Sequence, residues 1–288
     1  MNRRMVNDNP TTNKKLFIPQ PPDDREIFWA MQRYPDNVKV YHPHGSIDGT
    51  SVFWHNRLWP NILFFAVYVD PKAMDRHFLF HRILDDLTKL AGKFSDKHLV
   101  TSDYDPQHDF NQWLHQQGFT LMDKVHCATL NPDGLSITTQ NFPTSTQELT
   151  VSEALNHPEL LSQLLTMSWQ AYRDNHPSLS PATVSTHDWQ ALLLPELVSD
   201  IPSLLVNDSG NLIAISLLAK SAQTAGKLWL VNESTPGAAN RLFANQVTWL
   251  KSYQRSLSIC LPQVTLKLLG LTEQMAMLKT TTYENFLQ

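Results

Sequence analysis

The sequence predicts an α/β protein built from two related units in tandem, each with a mixed, mostly antiparallel sheet flanked by helices. Its 288 residues are close to twice the length of an average domain of about 150 residues. One order of strands and helices occurs twice, and a segment rich in Thr, Ser, Asn and Pro separates the two copies. The expected divisions are a flexible tail at 1–20, a first unit with a truncated start at 21–131, a linker at 132–147 and a second unit at 148–288.

Composition excludes several classes of protein. Hydrophobic residues make up 42% of the chain and aromatic residues 10%, which is enough for packed cores. A net charge of −4, from 23 basic and 27 acidic residues, argues against nucleic acid or an anionic membrane as partner. The longest apolar run, 62–69, is far shorter than the roughly 20 residues of a membrane-spanning helix.

Two cysteines, Cys127 and Cys260, lie far apart in the sequence among apolar neighbours. This pattern indicates buried hydrophobic side chains rather than a disulfide, and Met1 is not followed by the apolar core of a signal peptide. We therefore expect a cytoplasmic protein.

In the first half, residues 62–69 (ILFFAVYV) are apolar on both faces, as in a central buried strand. Leucine and isoleucine then recur at helical spacing over 78–91. The remaining predicted elements are a helix at 27–32, strands at 38–41 and 50–54 joined by a turn at 45–49, a strand at 98–101, a helix at 110–116 and a strand at 119–130.

In the second half, the clearest signals are an amphipathic helix at 160–172 and a hairpin with the turn Asn-Asp-Ser-Gly-Asn at 207–211. The other predicted helices lie at 187–194, 240–253 and 273–279, and Ser152 is the expected cap of a helix beginning at Glu153. The predicted strands lie at 149–151, 203–206, 212–219, 227–231, 264–269 and 283–287.

One segment in each half runs from the central strand into a loop that opens a long helix: 67–84 (VYVDPKAMDRHFLFHRIL) and 228–243 (LWLVNESTPGAANRLF). Both resemble the loop of pattern Q/R-x-x-G-x-G/A in the GNAT superfamily of N-acetyltransferases. Small residues there let backbone N–H groups approach the pyrophosphate of coenzyme A, and the helix N-terminus adds partial positive charge. The resemblance covers about 25–288 and is similar to the tandem arrangement of some bacterial members, where one copy acts and the other supports it.

The first half departs from the family pattern in its loop. Arg76 stands at the first position, but Leu79 and His81 occupy the two small positions and would crowd a phosphate group. Residues 115–119 (HQQGF) resemble the late family signature, with Leu114 where a tyrosine usually stands. We therefore expect the first unit to be a scaffold.

The second half departs in the opposite way. Gly237 and Ala239 occupy the small positions, and only the leading Gln/Arg is replaced, by Ser234. Here the late signature is altered, because residues 282–283 (Thr-Tyr) stand for Gly-Phe and Leu278 stands for the tyrosine.

The resemblance implies acetyl-CoA as co-substrate. A backbone amide of Val231 or Asn232 would polarise the thioester carbonyl, and Glu233 would be the base, the alternative being a solvated loop glutamate. No tyrosine occupies the expected position of the general acid in either half. The residues implied in holding the phosphates are Ser234, Gly237, Ala238, Ala239 and Asn240, with Arg241 assisting.

The loop after the first long helix of a GNAT domain normally shapes the acceptor site. Here it contains Tyr172, Arg173, Asp174 and His176, a mixture that suits an amine or a carboxylate-bearing substrate. The sequence equally allows an alternative, in which Tyr172 packs in the core and Arg173 and Asp174 form a surface pair.

Two other chemistries have weak support in the sequence. The histidine pairs 42/44 and 77/81 suggest a metal, but neither has a nearby third ligand, so no metal is expected. Cys127 with a histidine would make a nucleophile, but its mid-strand apolar position indicates core.

The resulting hypothesis is an N-acetyltransferase that moves an acetyl group from acetyl-CoA to a primary amine of a small molecule or peptide. The alternative is a catalytically degenerate GNAT pair acting as a CoA- or ligand-binding or assembly module. A third possibility is an aminoacyl-transferring protein of the same tandem fold, but no feature of the sequence supports it. Expected partners are the amine substrate and, in a homodimer, a second copy of the chain, with no nucleic acid and no membrane.

Overall fold

The computed structural model describes residues 25–43, 47–96, 98–103, 109–135, 137, 145–176, 181–221, 224–271 and 281–287. They form two compact units. The first holds the described residues up to Asp123 together with those from Tyr283 onward, and the second runs from Lys124 to Thr282. Each unit is an α/β fold with a mixed, mostly antiparallel sheet, as the sequence predicts.

The first unit has a sheet in the order β1-β2-β3-β4-β11. Only β3 and β4 are parallel; the other neighbours are antiparallel. In chain order its elements are α1 (Arg25–Arg33), β1 (Val38–Tyr41), β2 (Gly49–Asn56), β3 (Trp59–Val69), α2 (Arg76–Phe94), β4 (His98–Asp103), α3 (Asp109–Gln116) and β11 (Thr281–Leu287).

The second unit has a sheet in the order β6-β7-β8-β9-β10-β5. Again one neighbouring pair, β9 and β10, is parallel and the others are antiparallel. Its elements are β5 (Thr120–Leu130), β6 (Thr146–Thr150), α4 (Val151–Leu155), α5 (Pro158–Asp174), α6 (Thr186–Leu193), β7 (Pro202–Asn207), β8 (Leu212–Ala219), β9 (Lys227–Glu233), α7 (Ala238–Ser252), β10 (Leu257–Pro262) and α8 (Gln263–Leu268).

The two sheets share one plan, but each is completed by a strand from the other half of the chain. Each sheet begins with an antiparallel meander, which ends at β3 in the first unit and at β9 in the second. The next strand, β4 or β10, is parallel to it, and a last strand then pairs antiparallel with β4 or β10. The last strand of the first unit is β11, from the C-terminus, and that of the second unit is β5, the strand that follows α3. The unit boundaries at 123/124 and 282/283 therefore fall inside these strands rather than in the segment 132–147, whose last two residues begin β6.

Helices cover both faces of the second sheet. α5 packs against β8 and β9, whereas α7 packs against β7 and β8. The buried residues of α7 recur at a spacing of three and four, which places one face of the helix in the core. They are Ala238, Ala239, Leu242, Phe243, Gln246, Val247 and Leu250.

One strand prediction was wrong: residues 264–269 do not form a strand. The strand is β10, Leu257–Pro262, and α8 follows it directly. Alternation in VTLKLL suggested a strand, but the buried residues are Thr265, Leu266 and Leu269, which is helical spacing, while Val264 is 67% exposed.

The cap predicted at Ser152 was also wrong. α4 is capped by Thr150, whose Oγ1 accepts a bond from Glu153 N at 3.1 Å, while Thr150 N donates to the Glu153 carboxylate at 2.7 Å. These reciprocal bonds form a capping box and hold the pKa of the Glu153 carboxyl below its usual value. β6 accordingly ends at Thr150, and Val151 is the first helical residue.

Several predictions concern residues outside the described part of the chain: the tail at 1–20, His44 of the pair 42/44, the turn residues 45 and 46, the helix at 273–279 and the side chains of Cys127 and Cys260. None of the described helices combines the length and apolar character needed to cross a membrane.

Candidate functional site in the second unit

β9 and β10 start as paired parallel strands and then part. Their register pairs are Ser258 with Lys227 and Ile259 with Leu228, and within the described residues none follows. On its other edge β9 stays paired with β8 as far as Glu233, which is opposite Ala214. Among the described residues, the outer edge of β9 beyond Leu228 therefore has no partner strand, and such an edge can pair with an extended ligand.

The strands part at a β-bulge. Leu217 of β8 is opposite Leu230 and Leu218 is opposite Leu228, so Trp229 has no partner in β8. A bulge increases the local twist and bends the strand that carries it. Because the extra residue follows the last β9–β10 pair directly, it provides the physical cause of the opening.

The opened edge leads into the loop that begins α7. Ser234 N donates to Ile213 O at 2.9 Å, which ties the start of this loop to β8. Gly237 has φ 83°, in the left-handed region, and is the N-cap of α7. Glycine is required there because other residues rarely adopt this conformation.

The amides of this loop converge on one carboxylate. Glu233 Oε1 accepts a bond from Gly237 N at 3.2 Å, and Glu233 Oε2 accepts one from Ala239 N at 2.8 Å. Two N–H groups at a helix N-terminus thus hold two oxygens of a single anion, as they would hold a phosphate group. In this structure the loop predicted to hold phosphates therefore binds the carboxylate of Glu233.

The other predicted cofactor residues surround this loop. Val231 is buried, and Ala238 and Ala239 have no exposed surface. The side chain of Asn232 lies on the face of β9 opposite to that of Val231, and its Nδ2 donates to Met167 O of α5 at 3.4 Å.

The next two predicted residues lie on the first turn of α7. Asn240 Nδ2 donates to Leu269 O at 3.1 Å, joining the start of α7 to the end of α8. Arg241 is half-buried, and its N–H donates to Gly237 O as the first bond inside the helix.

The predicted acceptor residues separate by burial. Tyr172 is buried, and burial raises the pKa of its phenol well above the usual value of about 10. Arg173 and Asp174 are exposed, and Asp174 accepts a bond from Gln170 Nε2 at 2.7 Å. His176 is half-buried, with its Nδ1 2.7 Å from Tyr172 O.

Sequence reasoning missed the aromatic cluster around Tyr172. The centroid of the Tyr172 ring lies 4.6 Å from that of His176, 5.1 Å from that of Trp189 and 6.4 Å from that of Trp229, the bulge residue. Trp169 stacks on Tyr172 at 5.9 Å. The available signal was the helical spacing of residues 169 and 172 in α5, with residue 176 just after the helix. The cluster connects the predicted acceptor loop to the point where β9 and β10 part.

In the first unit the corresponding parallel strands, β3 and β4, stay paired over a longer stretch than β9 and β10. β3 and β4 are paired over four residues, from Ile62–His98 to Phe65–Thr101. The N-cap of α2 is Asp75, whose side chain accepts a bond from Phe78 N at 3.0 Å. Leu79 is buried in the core.

Other side chains singled out in the first unit are engaged locally. Arg76 forms an ion pair with Asp109. The His77 ring packs on Phe80 and the His81 ring on Trp113. Among the described residues, no three His, Cys, Asp or Glu side chains converge in a way that could hold a metal ion.

No protein-family model matches the sequence, and no curated protein matches it significantly. Solved structures do match. A GCN5-related N-acetyltransferase from Sphaerobacter thermophilus aligns with a TM-score of 0.64 at 12% identity, over 93% of this chain and 86% of that one. A tandem GNAT protein from the clavulanic acid biosynthesis pathway aligns with a TM-score of 0.58 at 11% identity, over 93% and 88%. A glucosamine N-acetyltransferase region of a fungal β-N-acetylglucosaminidase aligns with a TM-score of 0.61 at 12% identity, over 98% of this chain and 37% of that one. At these identities the likeness concerns the fold.

Proposed function

We propose that this chain, which has the tandem fold of GNAT N-acetyltransferases, transfers an acetyl group from acetyl-CoA to a primary amine of a small molecule or peptide, in its second unit. One observation carries the proposal. The parting of β9 and β10 at Trp229 leads directly to the amides at Gly237 and Ala239, which already hold an anion. An edge for an extended chain thus adjoins a cradle for phosphate, the combination that an acyl-CoA requires.

The proposed binding follows from this arrangement. The pantetheine arm would pair with the outer edge of β9, and the pyrophosphate would accept bonds from the amides of residues 237–240. Ser234 and Arg241 flank the cradle. An amide of Val231 or Asn232 would polarise the thioester carbonyl.

In the reaction, the amine nitrogen attacks the thioester carbon, the C–S bond breaks, and a C–N bond remains. One proton leaves the amine, and one proton is taken up by the departing thiolate. Glu233 is the proposed base, and in this structure each of its two oxygens accepts one bond, from the amide of Gly237 or of Ala239.

The acceptor would approach from the α5 side. Arg173 and Asp174 are exposed and available to a charged amine substrate, and His176 is partly accessible. Tyr172 is covered by neighbouring rings and would shape the acceptor site rather than bind directly.

Calorimetric titration of acetyl-CoA and CoA tests the proposal. Gly237→Trp places a large side chain in the cradle and should abolish binding. The matched control is Gly210→Trp, in the 207–211 turn, where φ is 76° and an added Cβ meets nothing within 4 Å. Gly210 has a φ in the same left-handed region as Gly237 but lies outside the cradle. Failure of the wild type to bind either ligand would refute the proposal, and binding that survives Gly237→Trp would move the site elsewhere.

A second candidate is a non-catalytic module that binds CoA or another ligand. The observation favouring it is that Glu233, the proposed base, serves as an anchor of the α7 N-terminus. Free-thiol release with acetyl-CoA and a panel of amines separates the two candidates. Binding without thiol release would favour the module, and thiol release at an unchanged maximal rate in Glu233→Gln would remove Glu233 as the base.

A further inference from the structure

We infer that the Glu233 carboxylate is an internal competitor for the phosphate cradle, so that a CoA ligand binds by displacing it. This inference rests on the proposed function, because it concerns the same loop. It assigns Glu233 a role in the free protein that is separate from its proposed role as base.

The competition follows from hydrogen-bonding capacity. Each backbone N–H is a single donor, and the N–H groups of Gly237 and Ala239 both donate to Glu233. A phosphate oxygen can accept these bonds only after the carboxylate has left. If the carboxylate remained beside the phosphate, two anions would share one small site, which is unfavourable.

The backbone on both sides of Glu233 is fixed. Its own N–H donates to Asn232 Oδ1 at 2.8 Å, and Ser234 N donates to Ile213 O at 2.9 Å. Asn232 is in turn bonded to Met167 O of α5. Rotation of the Glu233 side chain away from the amides would leave both of these backbone bonds intact.

This arrangement makes a selective prediction. Only the phosphate-bearing part of CoA competes with Glu233, whereas pantetheine carries no phosphate. Glu233→Gln is nearly isosteric and removes the charge, and its amide nitrogen cannot accept a bond from an N–H group. The variant should bind CoA more tightly and pantetheine unchanged.

Calorimetric titration of CoA and of pantetheine into the wild type and Glu233→Gln tests the inference. CoA affinity should rise on the order of tenfold, because charge-assisted hydrogen bonds are roughly twice as strong as neutral ones. The matched control is Glu153→Gln, which removes another carboxylate that holds a helix N-terminus in the same unit. It should leave the affinity for CoA unchanged.

The outcomes are distinguishable. Equal affinity of CoA for the wild type and Glu233→Gln, or weaker binding by the variant, would overturn the inference while leaving the proposed function in place. A gain seen equally with pantetheine would also overturn it, because the phosphates would not be the competing group. Absence of CoA binding by both folded proteins would refute the proposed function and the inference with it.

Discussion

Ser216 Oγ donates a hydrogen bond to Gln246 Oε1 at 2.6 Å, and both residues are fully buried between β8 and α7. Gln246 Nε2 in turn donates to Ser216 O at 2.6 Å and to Pro202 O of β7 at 2.7 Å. A single amide side chain thus fastens α7 to two strands. Since α7 begins at the cradle formed by Gly237 and Ala239, these bonds also fix the cradle relative to the sheet.

Gln246→Ala should lower the free energy of unfolding by about 2–4 kcal/mol, because it leaves buried carbonyls and a hydroxyl without their partner. Urea denaturation measures this change. The control is Thr248→Ala on the exposed face of the same helix, whose hydroxyl bonds only to Ala244 O. Its effect should stay within about 0.5 kcal/mol. Equal effects of the two substitutions would contradict a role of Gln246 in holding α7.

The same substitution at two glycines should have opposite effects on thermal stability. A Cβ at Gly226, just before β9, would lie 3.0 Å from Leu218 Cβ and 3.2 Å from the backbone Ala219 O. Gly226→Ala should therefore destabilise by about 1–3 kcal/mol. A Cβ at Gly92 in α2 would meet nothing within 4 Å, so Gly92→Ala should stabilise by about 1 kcal/mol through helix propensity. Scanning calorimetry shows whether each substitution raises or lowers the melting temperature. A higher melting temperature for Gly226→Ala would show that the backbone before β9 is not tightly packed against β8.

Tyr172 should not ionise in the folded protein at about pH 11, because burial raises the pKa of its phenol. Since the folded-state pKa lies above the unfolded one, the stabilising contribution is complete below about pH 10 and is lost as pH rises through the folded value. Ultraviolet titration of phenolate should give the same step for the native wild type and for Tyr172→Phe.

In denaturant all seven tyrosines should ionise, so the phenolate absorbance of the Tyr172→Phe variant should be lower than that of the wild type by the contribution of one tyrosine. A native wild-type step already larger than that of the variant at about pH 11 would show that Tyr172 is accessible to water.

Local patterns in the sequence identified most elements correctly. The apolar run at 62–69 lies within β3, and the Asn-Asp-Ser-Gly-Asn turn joins β7 to β8 with Gly210 at φ 76°. These features depend on residues close together in the chain. The strand predicted at 264–269 failed because alternation over six residues is also compatible with a short helix, and packing of Thr265, Leu266 and Leu269 decided between them.

Gly237 was placed before α7 by the resemblance of residues 234–239 to the GNAT loop, and its left-handed φ adds a backbone reason for glycine that only the structure shows. The partners of Glu233 could not be predicted, since a carboxylate after a strand has no local pattern that distinguishes a base from an anchor. Two aromatic neighbours of Tyr172, Trp189 of α6 and Trp229 of β9, are distant from it in sequence, so local patterns could not predict these contacts.

The sequence by itself determined the repeated order of strands and helices, because this order is encoded in short-range periodicity, and the loop that opens α7 was indicated by the resemblance of residues 234–239 to the GNAT loop. Only the tertiary structure decided that β5 completes the second sheet, that β11 completes the first, and that Glu233 occupies the cradle. A strand's sequence shows which of its faces is buried, but its neighbour is chosen by hydrogen bonding and packing between residues far apart in the chain. Glu233 lies only four and six residues before the two amides that it binds, but no local sequence pattern specifies the placement of its side chain on them.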